Sequence, residues 1–454
     1  MAAGTGVFPS RRMRVEWAWE GKSLINRKTS CWLVLVWLLS SCAVERDNLA
    51  ERPNLYRAES ALEIPRIDPR AESAAPRLLY VTDRAAMPGK QGAAAYGNDR
   101  SDSMALGRAQ IAFGDASWDV LERCTLEVEC PDIRLNVQEA TELLRFSNVP
   151  LPVRQQGDEI VFREPELEQY RRQGSAFKAM VGQEIRRTGN DRVLIFVHGV
   201  NYSFENSMTT LANIWHFLGR DVTPVAYSWP AGNGGILGYF SDRESGEFSV
   251  YHLKETLKLL ADVPEVSEID IVAHSRGTAL TAMALREMVI EHRAAGRHPR
   301  REMKTRVLVF AAADLDTGVV RMRLAAERVE EAFEQMNFYV NPRDGALRLS
   351  SLLTKAPRFG ALDPMDISRE QLRSLQRDRL VYFIQVENAG NRPGHAYFRE
   401  NPAVMSDIVL ALGEGNRPGS ARRPLERDSD GLWRIHSNYP GPRLVPPEFE
   451  PASR

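Results

Sequence analysis

Four cysteines in 454 residues are too few for a disulfide-built scaffold, so the fold must rest on an apolar core. Charge of one sign is lacking too: 59 basic residues meet 60 acidic ones, a formal net charge of −1. No global field therefore draws the chain to nucleic acid, and no nucleic-acid partner is expected. No apolar run reaches the ~20 residues a bilayer-spanning helix needs. The cysteines have no clustered histidines beside them, which argues against zinc; no metal and no organic cofactor is expected. No internal repeat is found. What is present is a 43% hydrophobic and 26% charged composition, the balance of an ordinary globular protein. One large domain with tails accounts for the length better than three small ones.

Near the start, Arg27 and Lys28 precede a short apolar run at residues 31–39, then Ser40, Ser41 and Cys42. A basic stretch, an apolar stretch and small residues before a cleavage point form a secretory signal. Its ending, Leu39-Ser40-Ser41-Cys42, resembles the bacterial lipobox. That resemblance implies removal of residues 1–41 and lipidation of Cys42. The basic pair lies far from Met1, and Met13 is a second candidate start. Residues 42–76, polar with scattered prolines, read as a flexible tether. Ala43, in place of Asp, favours the outer membrane by resemblance to lipoprotein sorting. The expected location is thus the bacterial cell envelope, lipid-anchored and facing the periplasm. Cys124 and Cys130 would lie roughly 20 Å apart in a straight strand. Pairing them requires an intervening turn, and the sequence leaves both states open.

Residues 77–165 read as a β-rich first section, with strands at 78–81, 111–113 and 160–162. Beyond it, strands and helices alternate. Apolar spacing predicts helices over 168–187, 204–218, 250–260, 278–291, 324–333 and 401–412. Continuous apolar runs predict strands at 193–197, 223–229, 269–272, 306–311, 337–340 and 380–386. The expected class is α/β, a mostly parallel central sheet with helices on both faces, over residues 77–412. Residues 413–454 lack periodicity and read as an irregular tail. Glycine-rich residues 232–238 lack the ending of a phosphate loop and read as a lid segment.

The chemistry concentrates at Ile269-Asp-Ile-Val-Ala273-His274-Ser275-Arg276-Gly277. A strand runs directly into a helix with serine at the turn. This is the setting of a nucleophile elbow, G-x-S-x-G, with Ala273 in place of the first glycine. The sharp turn stands the Ser275 hydroxyl clear of the sheet. His198-Gly199-Val200-Asn201 follows the strand at 193–197, where α/β-hydrolases place the loop that donates one oxyanion N–H. That donor is assigned to Val200, with Asn201 second; the other is the backbone N–H of Arg276. His198 and His274 read as structural hydrogen-bonders. The base must follow the last strand, because this fold orders its triad Ser, acid, His. Of eight histidines only His395 and His436 do so, and His395 lies in the loop before the final helix. For the acid, Asp344 follows residues 337–340 and is preferred; Asp314, after 306–311, is the alternative. Phe204, Trp229, Tyr239, Phe240 and Tyr397 are candidates for a substrate pocket.

Phe196-Val-His-Gly-Val-Asn201, Tyr227-Ser-Trp-Pro230, Asp242-Arg-Glu-Ser245, Val272-Ala-His-Ser-Arg-Gly277, Asp344-Gly-Ala-Leu347 and Gly394-His395 together resemble a family of bacterial α/β-hydrolases of uncharacterised function, distantly lipase- and esterase-like. Val81-Thr-Asp-Arg84 and Asp99-Arg100-Ser101 resemble its N-terminal section. The resemblance spans about residues 78–412. It implies the hydrolase fold and a Ser275, Asp344, His395 triad, and leaves the substrate open. Arg276 departs from the more usual methionine; its guanidinium is expected to pair with a nearby carboxylate. The expected activity is hydrolysis of a carboxylic ester or related acyl bond, on a small-molecule or lipid-like substrate. The competing expectation is a degenerate hydrolase fold kept as a non-catalytic binding or assembly lipoprotein.

Overall fold

The structure is a computed structural model. It describes residues 48–57, 62–65, 67, 69–88, 94–127, 130–362, 380–387, 394–429 and 431–441. The lipobox-like segment and Cys42 lie outside the described residues.

The strands in chain order are β1 (Arg77–Met87), β2 (Ala95–Phe113), β3 (Leu135–Arg145), β4 (Val153–Gln156), β5 (Glu159–Phe162), β6 (Arg192–Val197), β7 (Thr223–Ser228), β8 (Glu268–His274), β9 (Thr305–Ala311), β10 (Gln335–Val340), β11 (Val381–Val386), β12 (Glu426–Arg427) and β13 (Trp433–Ile435). Eleven of them form one sheet in the order β12-β13-β11-β10-β9-β8-β6-β7-β1-β2-β3, and β4 and β5 form a separate hairpin. From β13 to β1 every pairing is parallel. The pairings of β1 with β2, β2 with β3 and β12 with β13 are antiparallel.

A parallel strand buried on both faces feeds two cores by alternation. Val193, Ile195 and Val197 of β6 face one core, with Phe177, Val181, Leu253, Leu257, Leu285 and Val289 from three helices. Leu194 and Phe196 face the other, with Met208, Leu211, Ile214, Val404 and Ile408. Helix Phe204–Phe217 starts at a Ser203–Asn206 capping box, and Pro402–Gly413 starts where the Asn401 side chain accepts from two amides. Successive strands after β6 go to opposite sides: β7 pairs with one edge of β6 and β8 with the other. Such a switch point opens a crevice at the carboxyl ends of the strands.

Several expectations are extended or corrected. Within the domain expected over 77–412, the β-rich first section lends β1, β2 and β3 to the central sheet, while the β4–β5 hairpin stands apart. The section also holds a helix, Trp118–Leu126, whose end lets Cys124 and Cys130 bond with Cα atoms 4.9 Å apart. The presumed tether is partly packed: Asn54, Leu55 and Tyr56 are buried, and Asn48 bridges Arg134 just before β3. Nor is the tail irregular throughout. It adds β12 and β13 to the sheet, and Arg423, wholly buried, meets Asp407 at 2.7 Å. Residues 324–333 do not form one helix, because Arg328 takes φ +52° and separates two short helical turns. Of the lid expected at 232–238, residues 235–238 begin a long helix, Gly235–Ala261, of which 250–260 is only the end.

Candidate active site

Ser275 sits between β8 and helix Gly277–Ala294 with φ +51°, a left-handed conformation disfavoured for any residue with a Cβ. Its neighbours over-determine that turn. The Ser275 amide donates to Ala311 O at 3.0 Å, and its carbonyl accepts from the Thr278 and Asp314 amides at 3.1 and 3.2 Å. The strand-to-helix approach is very close. A Cβ on Gly277 would lie 2.2 Å from His198 O and 2.5 Å from Val197 O, so only glycine fits. On the other side of the serine, a Cβ on Gly199 would come 2.8 Å from the Ser275 Cβ. The loop after β6 is therefore pressed against Ser275.

His395 arrives from the segment after β11. Its Nε2 lies 2.8 Å from Ser275 Oγ and its Nδ1 lies 2.8 Å from Asp344 Oδ2. A carboxylate only accepts, so Nδ1 carries the proton and Nε2 accepts from the serine hydroxyl. Asp344 is fully buried and has a second task. It caps helix Gly345–Thr354, with Oδ1 accepting from the Leu347 amide at 3.0 Å. The helix N-terminus favours its negative charge. Burial draws the His395 pKa down, but the charge and hydrogen bond of Asp344, helped by Asp314, outweigh it and leave it above its ordinary value.

Asp314 stands nearby without reaching the imidazole. Its oxygens accept from Tyr239 Oη at 2.9 Å and Ser350 Oγ at 2.8 Å, and it pairs with buried Arg358 at 3.1 Å. His436 lies in the segment after β13; it is His395 that meets Ser275.

The loop donors follow from peptide geometry. His198 Nδ1 is 2.8 Å from Gly199 O, and Arg84 Nη2 is 3.4 Å from His198 Nε2. A carbonyl accepts and a guanidinium donates, so His198 is the Nδ1–H tautomer. Burial and the Arg84 charge hold its pKa well below the ordinary value and keep it neutral. Because Gly199 C=O and Val200 N–H share one trans peptide, fixing the carbonyl turns the Val200 N–H the opposite way. The Asn201 N–H, the runner-up donor, is already taken by Asp242 Oδ2 at 2.7 Å. Arg276, 6% exposed, pairs with Glu247 at 2.7 Å, as expected of its guanidinium. His274 is stacked on Phe398 and lies 3.3 Å from His395 O, so it supports the loop that carries His395.

Among the pocket candidates, Phe204, Trp229 and Tyr397 are core residues, almost fully buried. Tyr397 is a strut whose hydroxyl donates to Tyr339 O and accepts from the Ala312 amide. Tyr239 is half-buried at Asp314, and Phe240 is exposed. Neither Arg84 nor Asp242 carries a role legible from the sequence, though both stand in segments that bear the family resemblance. Among the described residues no group of His, Cys, Asp and Glu is placed to hold a metal.

This sheet, with serine at the strand-to-helix turn of its switch point, defines the α/β-hydrolase class. Residues 173–412, more than half of the chain, match the family described as alpha/beta hydrolase of unknown function (DUF900), and the chain belongs to that family. No curated protein matches the sequence. Among solved structures, it is similar to an extracellular alpha/beta-hydrolase from a Paenibacillus species, described as sharing structural and functional homology with tobacco salicylic acid binding protein 2. The identity is 11%, over 49% of this chain and 99% of that one, at a TM-score of 0.21.

Proposed function

We propose that this α/β-hydrolase is a serine hydrolase that cleaves a carboxylic ester or related acyl bond. Ser275 Oγ attacks the acyl carbon and its proton passes to His395 Nε2. The backbone N–H groups of Val200 and Arg276 hold the oxyanion. The C–O bond then breaks, the leaving alcohol takes the proton from His395, and an acyl-Ser275 ester remains. Water, losing a proton to His395, attacks that ester; the acid leaves and the proton returns to Oγ. Asp344 fixes the imidazole tautomer and stabilises the imidazolium without taking the proton. The observation that carries the reading is that both nitrogens of one imidazole lie 2.8 Å from their partners, a hydroxyl and a carboxylate.

A fluorophosphonate probe tests it. Wild type labels and folded Ser275→Ala does not. Folded wild type that fails to label would leave a binding protein on a hydrolase fold.

The location is likewise proposed: an envelope protein held by lipid on Cys42, acting on a small-molecule or lipid-like acyl substrate. The Cys124–Cys130 bond supports export, since oxidising compartments preserve disulfides. Labelled fatty acid should enter the wild type and not Cys42→Ser; incorporation into both sinks the assignment.

A further inference from the structure

Two buried, oppositely charged side chains bracket the loop beside Ser275 without touching each other through a direct ion pair. Arg84, from β1, is wholly buried and donates to Ala231 O at 2.7 Å and Tyr202 O at 2.8 Å. Asp242, on helix Gly235–Ala261, is wholly buried as well. Its Oδ2 accepts from the Asn201 amide at 2.7 Å and the Gly232 amide at 3.1 Å. Its Oδ1 accepts from Asn233, at 3.3 Å from the backbone amide and 2.7 Å from the side chain. Ala231 C=O and Gly232 N–H belong to one peptide, so that peptide is held by the cation at one end and the anion at the other. The same two side chains hold Asn201 N–H and Tyr202 C=O, immediately after the proposed oxyanion donor. Asn201 is at φ +59°, a left-handed turn that asparagine tolerates.

We infer that Asp242 is a positioning residue: acting with Arg84 across the Ala231–Gly232 peptide, it holds the Val200–Asn201 turn at the distance from Ser275 that the developing oxyanion requires. The inference rests on the reading of Ser275 as nucleophile. A carboxylate is required here because four N–H groups converge on two oxygens, and only an ionised carboxyl accepts at every site. An asparagine cannot satisfy all four: its NH2 end must face either the Asn201 and Gly232 amides or the two Asn233 donors, and the charge opposite Arg84 is lost. Preorganised donors act on the transition state more than on bound substrate, so the loss should fall on kcat.

The test is Asp242→Asn in the full chain, with 4-nitrophenyl acetate as substrate and circular dichroism to verify folding. We expect kcat to fall roughly 30-fold or more, approaching the 10²–10³ span of one lost oxyanion donor, with KM within about threefold. Affinity for a boronic acid, whose serine adduct is tetrahedral, should fall by a similar factor. Asp242→Glu, which keeps the charge, should recover part of the loss. A folded Asp242→Asn with wild-type kcat overturns the inference alone. Wild type that neither hydrolyses the ester nor labels with fluorophosphonate overturns the reading beneath it. Should Asp242→Asn not fold, hydrogen exchange on wild type decides. Protected amides at Asn201 and Gly232 support the clamp, and exchange as fast as an open loop overturns it.

Discussion

Gly277 sits so close to His198 that a single added methyl carbon would come 2.2 Å from the His198 carbonyl oxygen. The obstacle is backbone, which cannot rotate away. Gly277→Ala should therefore force β6 and the elbow apart, displacing both Ser275 and the loop that faces it. A destabilisation of about 1–3 kcal/mol is expected, read as a lower thermal midpoint, with most activity lost even where the variant folds.

The proposed base imposes a pH dependence. His395 must be neutral to accept the serine proton, and its pKa is raised by Asp344 against the pull of burial. Log(kcat/KM) should climb with pH and level off past a midpoint above the ordinary 6.5. Asp344→Asn should move that midpoint down and lower kcat roughly a thousandfold or more, because the imidazole loses its tautomer. Stability runs the other way. A raised folded-state value means the His395–Asp344 pairing contributes fully below the unfolded value and fades as pH rises through the folded one. A midpoint unchanged in Asp344→Asn would refute the assignment.

Asp314 and Asp344 should separate cleanly in mutagenesis. Asp314 meets Arg358, Tyr239 and Ser350, and the Arg358 side chain is 3% exposed. Asp314→Asn leaves that guanidinium buried without its counter-charge, which costs on the order of 3 kcal/mol. Its kcat should fall less than tenfold. A thousandfold loss of kcat at wild-type stability would make Asp314 the acid instead.

A third buried carboxylate tests the C-terminal segment. Asp407 receives Arg423 through two contacts, at 2.9 and 2.7 Å, and accepts the hydroxyls of Tyr339 and Tyr439. Arg423→Met strands Asp407 in the core. Thermal or urea unfolding should show a loss of about 3–5 kcal/mol. Wild-type stability would mean that the segment after Gly413 is as dispensable as its composition suggests.

Legibility from sequence followed the kind of signal. β6, β8 and β9 are continuous apolar runs, because strands covered on both faces must be, and they were readable to within a residue or two. Ser275 and His198–Gly199 were readable because a strand breaking into a helix at a small-residue turn is a local event. The acid was not fixed, since β9 and β10 are both followed by an aspartate and only the folded register decides which meets His395. Residues 324–333 carry apolar side chains at helical spacing, yet Arg328 breaks the run, and nothing local announces that. The segment after Gly413 is tied down by Arg423, a polar anchor that periodicity overlooks. Arg84 and Asp242 were silent for a related reason. More than half of their hydrogen bonds go to main-chain groups, and main-chain groups leave no letter in the sequence.

The bridge between Asn48 and Arg134 fixes a direction for the whole molecule. Arg134 immediately precedes β3, which runs the same way as β1 and β6, so Asn48 stands at the edge where those strands begin. Ser275 stands at the opposite edge, where β8 ends, with β6, β7, β1 and β2 between β8 and β3. The described chain therefore enters at the amino ends of the strands, whereas Ser275 caps a carboxyl end, where the chemistry of such a sheet gathers.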